Sequence, residues 1–113
     1  MRILLAGLLA LTGGFPPASA ASMARQPATA QAQRVHVIVI EKMQYGLMPT
    51  DVRVGDIIEW VNKDILEHSA TARDGHFDVD LKPGTSGRIT ATAGTLAFFC
   101  KFHPTMTATL VVK

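Results

Sequence analysis

The sequence predicts an all-β fold, an antiparallel Greek-key β-sandwich of seven to eight strands. Three observations carry that prediction. Short β-branched and aromatic runs recur at roughly ten-residue spacing. Glycine- and proline-bearing turn signals separate them. No window combines a helix start, an apolar stripe and a stop.

Taken in order, Val35 to Ile40 is β-branched apart from His36, with Val35, Val37 and Val39 on one face and the His36 ring expected toward solvent. Asp51 to Val54 is a short extended piece, and Gly55-Asp56 turns the chain. Ile57 to Val61 follows, rich in β-branched and aromatic residues, and stops at Asn62-Lys63-Asp64. His68 to Ala72 is the next strand, closed by Arg73-Asp74-Gly75, and Pro83-Gly84 marks a turn. Arg88 to Thr92 alternates, Ala93-Gly94 turns, Thr95 to Cys100 is aromatic-rich, and Thr107 to Val112 ends the chain. Trp60, Phe98 and Phe99 read as core residues.

Composition narrows the class. At 113 residues the chain has room for one ordinary domain, and 48% hydrophobic content excludes disorder throughout. A net charge of +2 is too balanced for a nucleic-acid surface. One cysteine excludes a disulfide-stapled miniprotein.

The N-terminus has the pattern of an export signal. Arg2 is followed by an apolar run from Ile3 to Leu11, a break at Gly13-Gly14 and Pro16-Pro17, and the small-x-small pattern Ala18-Ser19-Ala20. The run is about half the ~20 residues that a membrane span needs. Residues 1–20 are therefore expected to be a cleaved signal peptide, which exports the protein to an oxidising compartment. Cleavage leaves 93 residues with ten basic and nine acidic side chains, and no later segment suits a membrane span. Residues 21–33 read as a flexible leader of Ala, Gln, Ser, Thr and Pro, and residues 34–113 as the folded domain.

In an oxidising compartment the lone thiol of Cys100 must be buried, paired with another chain or held by a metal. Its surroundings favour the metal. Cys100-Lys101-Phe102-His103-Pro104-Thr105-Met106 sets a thiol, an imidazole and a thioether at steps of three on a loop between two strands. A short loop fixed at both ends can curl so that every third side chain points inward. Soft sulfur with imidazole suits copper, whereas zinc would seek four good His or Cys donors. Two His, one Cys and a weak axial Met make the blue-copper donor set, so one more histidine is required. His68, which begins a strand after a loop, is best placed to meet the Cys100 loop. His36 lies within a β-run and His76 sits on an acidic turn.

Glu59-Trp60-Val61-Asn62-Lys63-Asp64 with His68-Ser69-Ala70-Thr71-Ala72 resembles the first ligand region of the small bacterial blue-copper proteins. So do Leu81-Lys82-Pro83-Gly84, Ala93-Gly94-Thr95 and, above all, Phe99-Cys100 through His103-Pro104 to Met106. These are the cupredoxins of the plastocyanin/amicyanin/pseudoazurin group, and the two-residue gaps resemble the ligand loop of amicyanin. The match spans nearly all of residues 35–113, in order.

The resemblance implies one copper ion with His68, Cys100 and His103 as equatorial ligands and Met106 as the long axial one. It implies that Ser69 ties the two ligand regions together. It also implies a periplasmic electron carrier and not an enzyme, moving electrons by outer-sphere transfer as copper cycles between Cu(II) and Cu(I). Partners are expected to be redox proteins docking transiently at the His103, Phe102 and Pro104 end of a monomer, with Met48 in the same apolar collar. The alternative is a copper carrier or buffer with the same ligands. Three departures stand out: Glu67 precedes the first histidine where many relatives carry Pro or a small residue, Ala108 stands where Gly is frequent, and the acidic clusters that some plant members use for docking are not obvious. An ionised Glu67 near the metal is expected to favour Cu(II).

Overall fold

The computed structural model describes residues 32–113, together with Gly7, Gly13 and Gly14. Apart from those glycines, the expected signal peptide and nearly all of the expected leader lie outside the described residues.

Eight strands form, all of them in the unit Ala32–Lys113: β1 Val35–Glu41, β2 Gln44–Tyr45, β3 Ile57–Asn62, β4 His68–Ala72, β5 Asp78–Leu81, β6 Ser86–Thr90, β7 Gly94–Phe99 and β8 Thr107–Val112. They make two four-stranded sheets, ordered β2-β1-β3-β6 and β5-β4-β7-β8. The all-β sandwich is as expected, and no helix occurs among the described residues.

Two strands escape the sequence patterns. β2 has only two residues, and β5 carries the charged alternation Asp78-Val79-Asp80 that reads as loop. Both lie at sheet edges, where one side of the strand is free and polar residues are tolerated. Pairing is antiparallel between named strands except β1 with β3, which run parallel from Val35 opposite Ile57 to Ile40 opposite Asn62. The chain returns from β1 through β2 and an extended segment that bridges Val52 to Val112 before β3 begins, so β3 starts at the same end as β1.

The inner faces meet in a core of Ile38, Ile40, Ile58, Trp60, Leu81, Phe98 and Leu110, each 1% exposed or less. Full burial of a side chain of this size contributes about 1.5–3 kcal/mol. Trp60 and Tyr45 each pack edge-on to Phe98, with ring centroids 5.4 and 4.9 Å apart. Phe99, on the other face of β7, is half-buried beneath the Arg73 guanidinium at 4.9 Å, so it is a surface platform more than a core residue.

His36 departs from expectation. Val35 and Val37 face solvent, and the His36 ring turns to the inner side at the rim of the sheet. There Nε2 meets Asp56 Oδ2 at 2.8 Å, with both side chains about nine-tenths buried. Alternation sets His36 on the face of buried Ile38 and Ile40, and the Asp56 carboxylate just before β3 gives its ring a polar partner there.

Two glycines shape the frame. Gly84 adopts φ 75° in the turn Lys82-Pro83-Gly84-Thr85, closed by a Thr85 N–H bond to Lys82 O. Proline followed by a left-handed glycine is the demand of a type II turn. Gly87 sits where β6 passes beneath β5, and a Cβ there would lie 2.4 Å from Val79 Cγ1.

Candidate metal centre

Strand register brings the first two donors together. β4 and β7 pair Thr71 with Phe99 and Ala72 with Phe98, so continuing the ladder sets Cys100 across from Ala70. Alternation puts His68 on the same inward face as Ala70, and Cys100 on that of Phe98. Both His68 and Cys100 are fully buried, with Cys100 Sγ 3.7 Å from His68 Nδ1.

Asp64 orients the imidazole. Its Oδ2 lies 2.9 Å from His68 Nε2. A carboxylate only accepts, so the proton sits on Nε2 and Nδ1 presents a bare lone pair to the sulfur. Hydrogen bonds from His68 first, and then from the Met43 and Ile65 N–H groups, hold the Asp64 carboxyl below the usual carboxylate range. Asn62, fully buried, pins the same loop: its Nδ2 donates to Leu66 O and Leu81 O at 2.8 and 2.9 Å, and its Oδ1 accepts the Asp64 N–H.

The other candidate donors lie on local turns. His103 N–H donates to Cys100 O at 3.2 Å, and Met106 N–H donates to His103 O at 2.9 Å. Two consecutive four-residue turns thus curl the loop backbone between Cys100 and Met106. Cys100 N–H closes the loop on Met106 O at 3.1 Å. His103 is half-buried with its ring centroid 5.1 Å from that of His68, and Met106 is 5% exposed.

Among the described residues no three His, Cys, Asp or Glu groups converge tightly enough to hold an ion by themselves. His68 and Cys100 are the preset pair. A full set requires the His103 ring to turn toward them, with the Met106 thioether as fourth donor. Two nitrogens and two sulfurs in a buried pocket suit a soft or borderline ion such as copper, and the set lacks the carboxylate and carbonyl oxygens that hard cations need.

Ser69 does tie the two regions together. Its Oγ accepts the Lys101 N–H at 2.9 Å and lies 2.8 Å from Thr71 Oγ1, which donates to Asp78 Oδ1 at 2.8 Å. Since Thr71 spends its proton on Asp78, Ser69 is the donor to Thr71. Lys101 Nζ completes the ring on Asp78 and Asp80, whose hydrogen bonds raise the lysine above its ordinary range. Tyr45 Oη donates to Ser69 O, and burial, with the Cys100 sulfur adding to it, pushes the phenol well above its ordinary range.

The remaining candidates fall elsewhere. His76 is solvated and paired with Asp74, as expected. His36 serves Asp56. Glu67 is half-buried next to His68, but Asp64 is the carboxylate in contact with the imidazole. Sequence reasoning missed Asp64 and Asn62 as supports; the only trace of Asp64 is its position four residues before His68 in a loop. Met48 packs half-buried against the core, whereas Met43, Ile65, Leu66 and Phe102 are the exposed apolar side chains of the loops around the site.

A family described as a cupredoxin-like domain matches residues 14–112. A curated relative, the amicyanin of Paracoccus versutus, is 29% identical over an 84-residue alignment that covers 68% of this chain and 64% of that protein. The match thus spans less than two thirds of the relative's length. Among solved structures, the reduced state of an amicyanin variant aligns with TM-score 0.58 and 28% identity over 68% of this chain and 80% of the other. An amicyanin variant in a reduced Cu(I) form at pH 4 aligns with TM-score 0.60 and 27% identity, over 74% and 87%.

Proposed function

This chain belongs to the cupredoxin-like domain family, and on that premise we propose that it is a copper electron carrier with His68, Cys100, His103 and Met106 as the metal ligands. The observation that carries this reading is the buried Cys100 sulfur facing a lone-pair nitrogen of His68 beside a turn that supplies the other two donors. Copper bound there supplies one-electron chemistry between Cu(II) and Cu(I).

The protein's part is to hold donors still. His68 and Cys100 are anchored at the ends of two paired strands, so their spacing is that of the sheet. Asp64 keeps the proton on Nε2 of His68 and leaves Nδ1 free to ligate. The Ser69 clamp on Lys101 N–H holds the amide next to Cys100. A donor set fixed in this way rearranges little when charge changes, which favours fast transfer.

Electrons enter and leave through half-buried His103 in this reading, at the end where Phe102 is 43% exposed and Pro104 also faces solvent. That small apolar rim suits brief contact with redox proteins more than a permanent complex. Residues 1–20 direct export to the periplasm, where the lone thiol is protected by its metal. Among the described residues no helix is long and apolar enough to cross a membrane.

The test is the visible spectrum of the mature protein after one equivalent of Cu(II), and then after ascorbate. An intense thiolate band that bleaches and returns on reoxidation is expected. Rapid surrender of copper to a chelator would move the assignment to a copper carrier or buffer, and a missing band would leave a copper-free sandwich.

A further inference from the structure

We propose that the cleft between the β1–β2 turn and the metal-ligand loop is an uptake port for Cu(I), with the Met43 thioether as its receiving donor. The proposal rests on the copper-site reading above and adds to it a route and a residue.

The cleft has a volume of about 400 Å³ and is lined by Met43, Gln44, Tyr45, Thr105, Met106 and Thr107. No side chain in that lining carries a charge at neutral pH. It therefore offers little to a hard divalent ion, while its two thioethers suit a soft monovalent one. The two sulfurs differ in access: Met43 is 36% exposed, and Met106 is 5% exposed at the ligand site. Met43 is thus the methionine that solvent reaches, and Met106 the one enclosed.

Met43 is also held there against local preference. Lys42 and Met43 adopt φ 53° and 60°, both left-handed, in the two-residue turn joining β1 to β2. Such a turn favours Asn and Gly, and a side chain with a branch at Cβ or beyond is strained there. The conformation is secured by the Met43 N–H, which donates to Asp64 Oδ2 at 3.0 Å. The same oxygen holds His68 Nε2, so the turn that presents Met43 is fastened to the group that orients a ligand. A methionine placed merely to fill the core would pack against it, as half-buried Met48 does.

The transfer balances without a redox change. Met43 displaces one ligand of an incoming Cu(I) complex, and the ion stays Cu(I) as Met106 takes it up. Cys100 then binds as thiolate and releases its proton to water.

The experiment mixes copper-free protein anaerobically with the Cu(I)–bicinchoninate complex and follows loss of that complex's colour. Parallel uptake of aqueous Cu(II) is followed by growth of the thiolate band. Met43→Leu, which keeps the size, is expected to slow Cu(I) uptake on the order of tenfold, the scale on which loss of a supporting contact alters metal binding. Its Cu(II) uptake and final band should match the unsubstituted protein. Met43→Gly relieves the turn and should slow Cu(I) uptake as well while raising thermal stability. Equal Cu(I) rates in Met43→Leu overturn the proposal. So does equal slowing of both ions, which makes the cleft a plain channel, or a normal Cu(I) rate in Met43→Gly, which makes shape and not sulfur the determinant. If the unsubstituted protein shows no thiolate band with Cu(II), the copper-site reading itself fails, and the port fails with it.

Discussion

Asp64 Oδ2 accepts from His68 Nε2 at 2.9 Å while His68 Nδ1 faces the Cys100 sulfur at 3.7 Å, so one carboxylate sets both the tautomer and the aim of a buried imidazole. A carboxylate behind a metal-binding histidine also raises the basicity of the donor nitrogen. Removing it frees the ring to rotate and leaves the Met43 and Ile65 N–H groups without their acceptor. Asp64→Ala is expected to weaken copper binding about 10–100-fold, as read by chelator competition. An unchanged dissociation constant would show that the sheet alone orients His68.

Ser69 is fully buried and stands between the Lys101 amide and the Thr71 hydroxyl. Ser69→Ala leaves that amide unsatisfied, which costs about 1–3 kcal/mol. Urea unfolding of the copper-free protein should show the loss, with Ser69→Thr retaining most of the stability. A Ser69→Ala midpoint equal to the unsubstituted one would refute the clamp.

Gly87 marks the closest approach of β6 to β5. An added methyl would meet Val79 Cγ1 at 2.4 Å and Leu81 Cδ2 at 3.3 Å, both in side chains held by the sandwich. Gly87→Ala should destabilise the domain by about 1–3 kcal/mol through overpacking. The double variant with Val79→Ala should recover part of that loss. Additive losses would place the strain elsewhere.

Asp56 governs acid stability at the far rim. Hydrogen bonds from His36 first, then from the Arg53 and Arg34 N–H groups, hold its carboxyl below its ordinary value. A carboxyl depressed by folding contributes stability that is fully present above its unfolded pKa of about 3.9 and is lost as pH falls through the lower folded value. Thermal unfolding of the copper-free protein should therefore weaken below about pH 4, and Asp56→Asn should flatten that decline while lowering stability at pH 7. An unaltered acid slope in Asp56→Asn would assign the decline to other carboxyls.

Much of the fold was legible because its determinants are local. β1, β3, β4, β7 and β8 were visible in β-branched and aromatic runs, and Pro83-Gly84 in the backbone needs of its turn. β2 and β5 were not, since two residues in one case and an acidic alternation in the other acquire strand geometry only by pairing with a neighbour. The parallel alignment of β1 with β3 was likewise hidden, because direction depends on where an irregular connection returns.

The proposed donors divide along the same line. Cys100, His103 and Met106 are singled out by their three-residue step on a short loop, and the backbone turns from Cys100 to His103 and from His103 to Met106 follow that step. His68 could be ranked among the histidines, but its contact with Cys100 is a property of the β4–β7 register, across 32 residues of chain. The supports were decided by tertiary structure alone. Asp64, Asn62 and the Asp56 partner of His36 are ordinary polar residues near turns, and nothing in their type distinguishes them from solvated ones. By itself the sequence determined which elements form and which atoms can donate, since both reside in individual residues and short spacings. The three-dimensional packing decided which buried polar group meets which partner, since a hydrogen bond depends on a few tenths of an ångström between strands far apart in the chain.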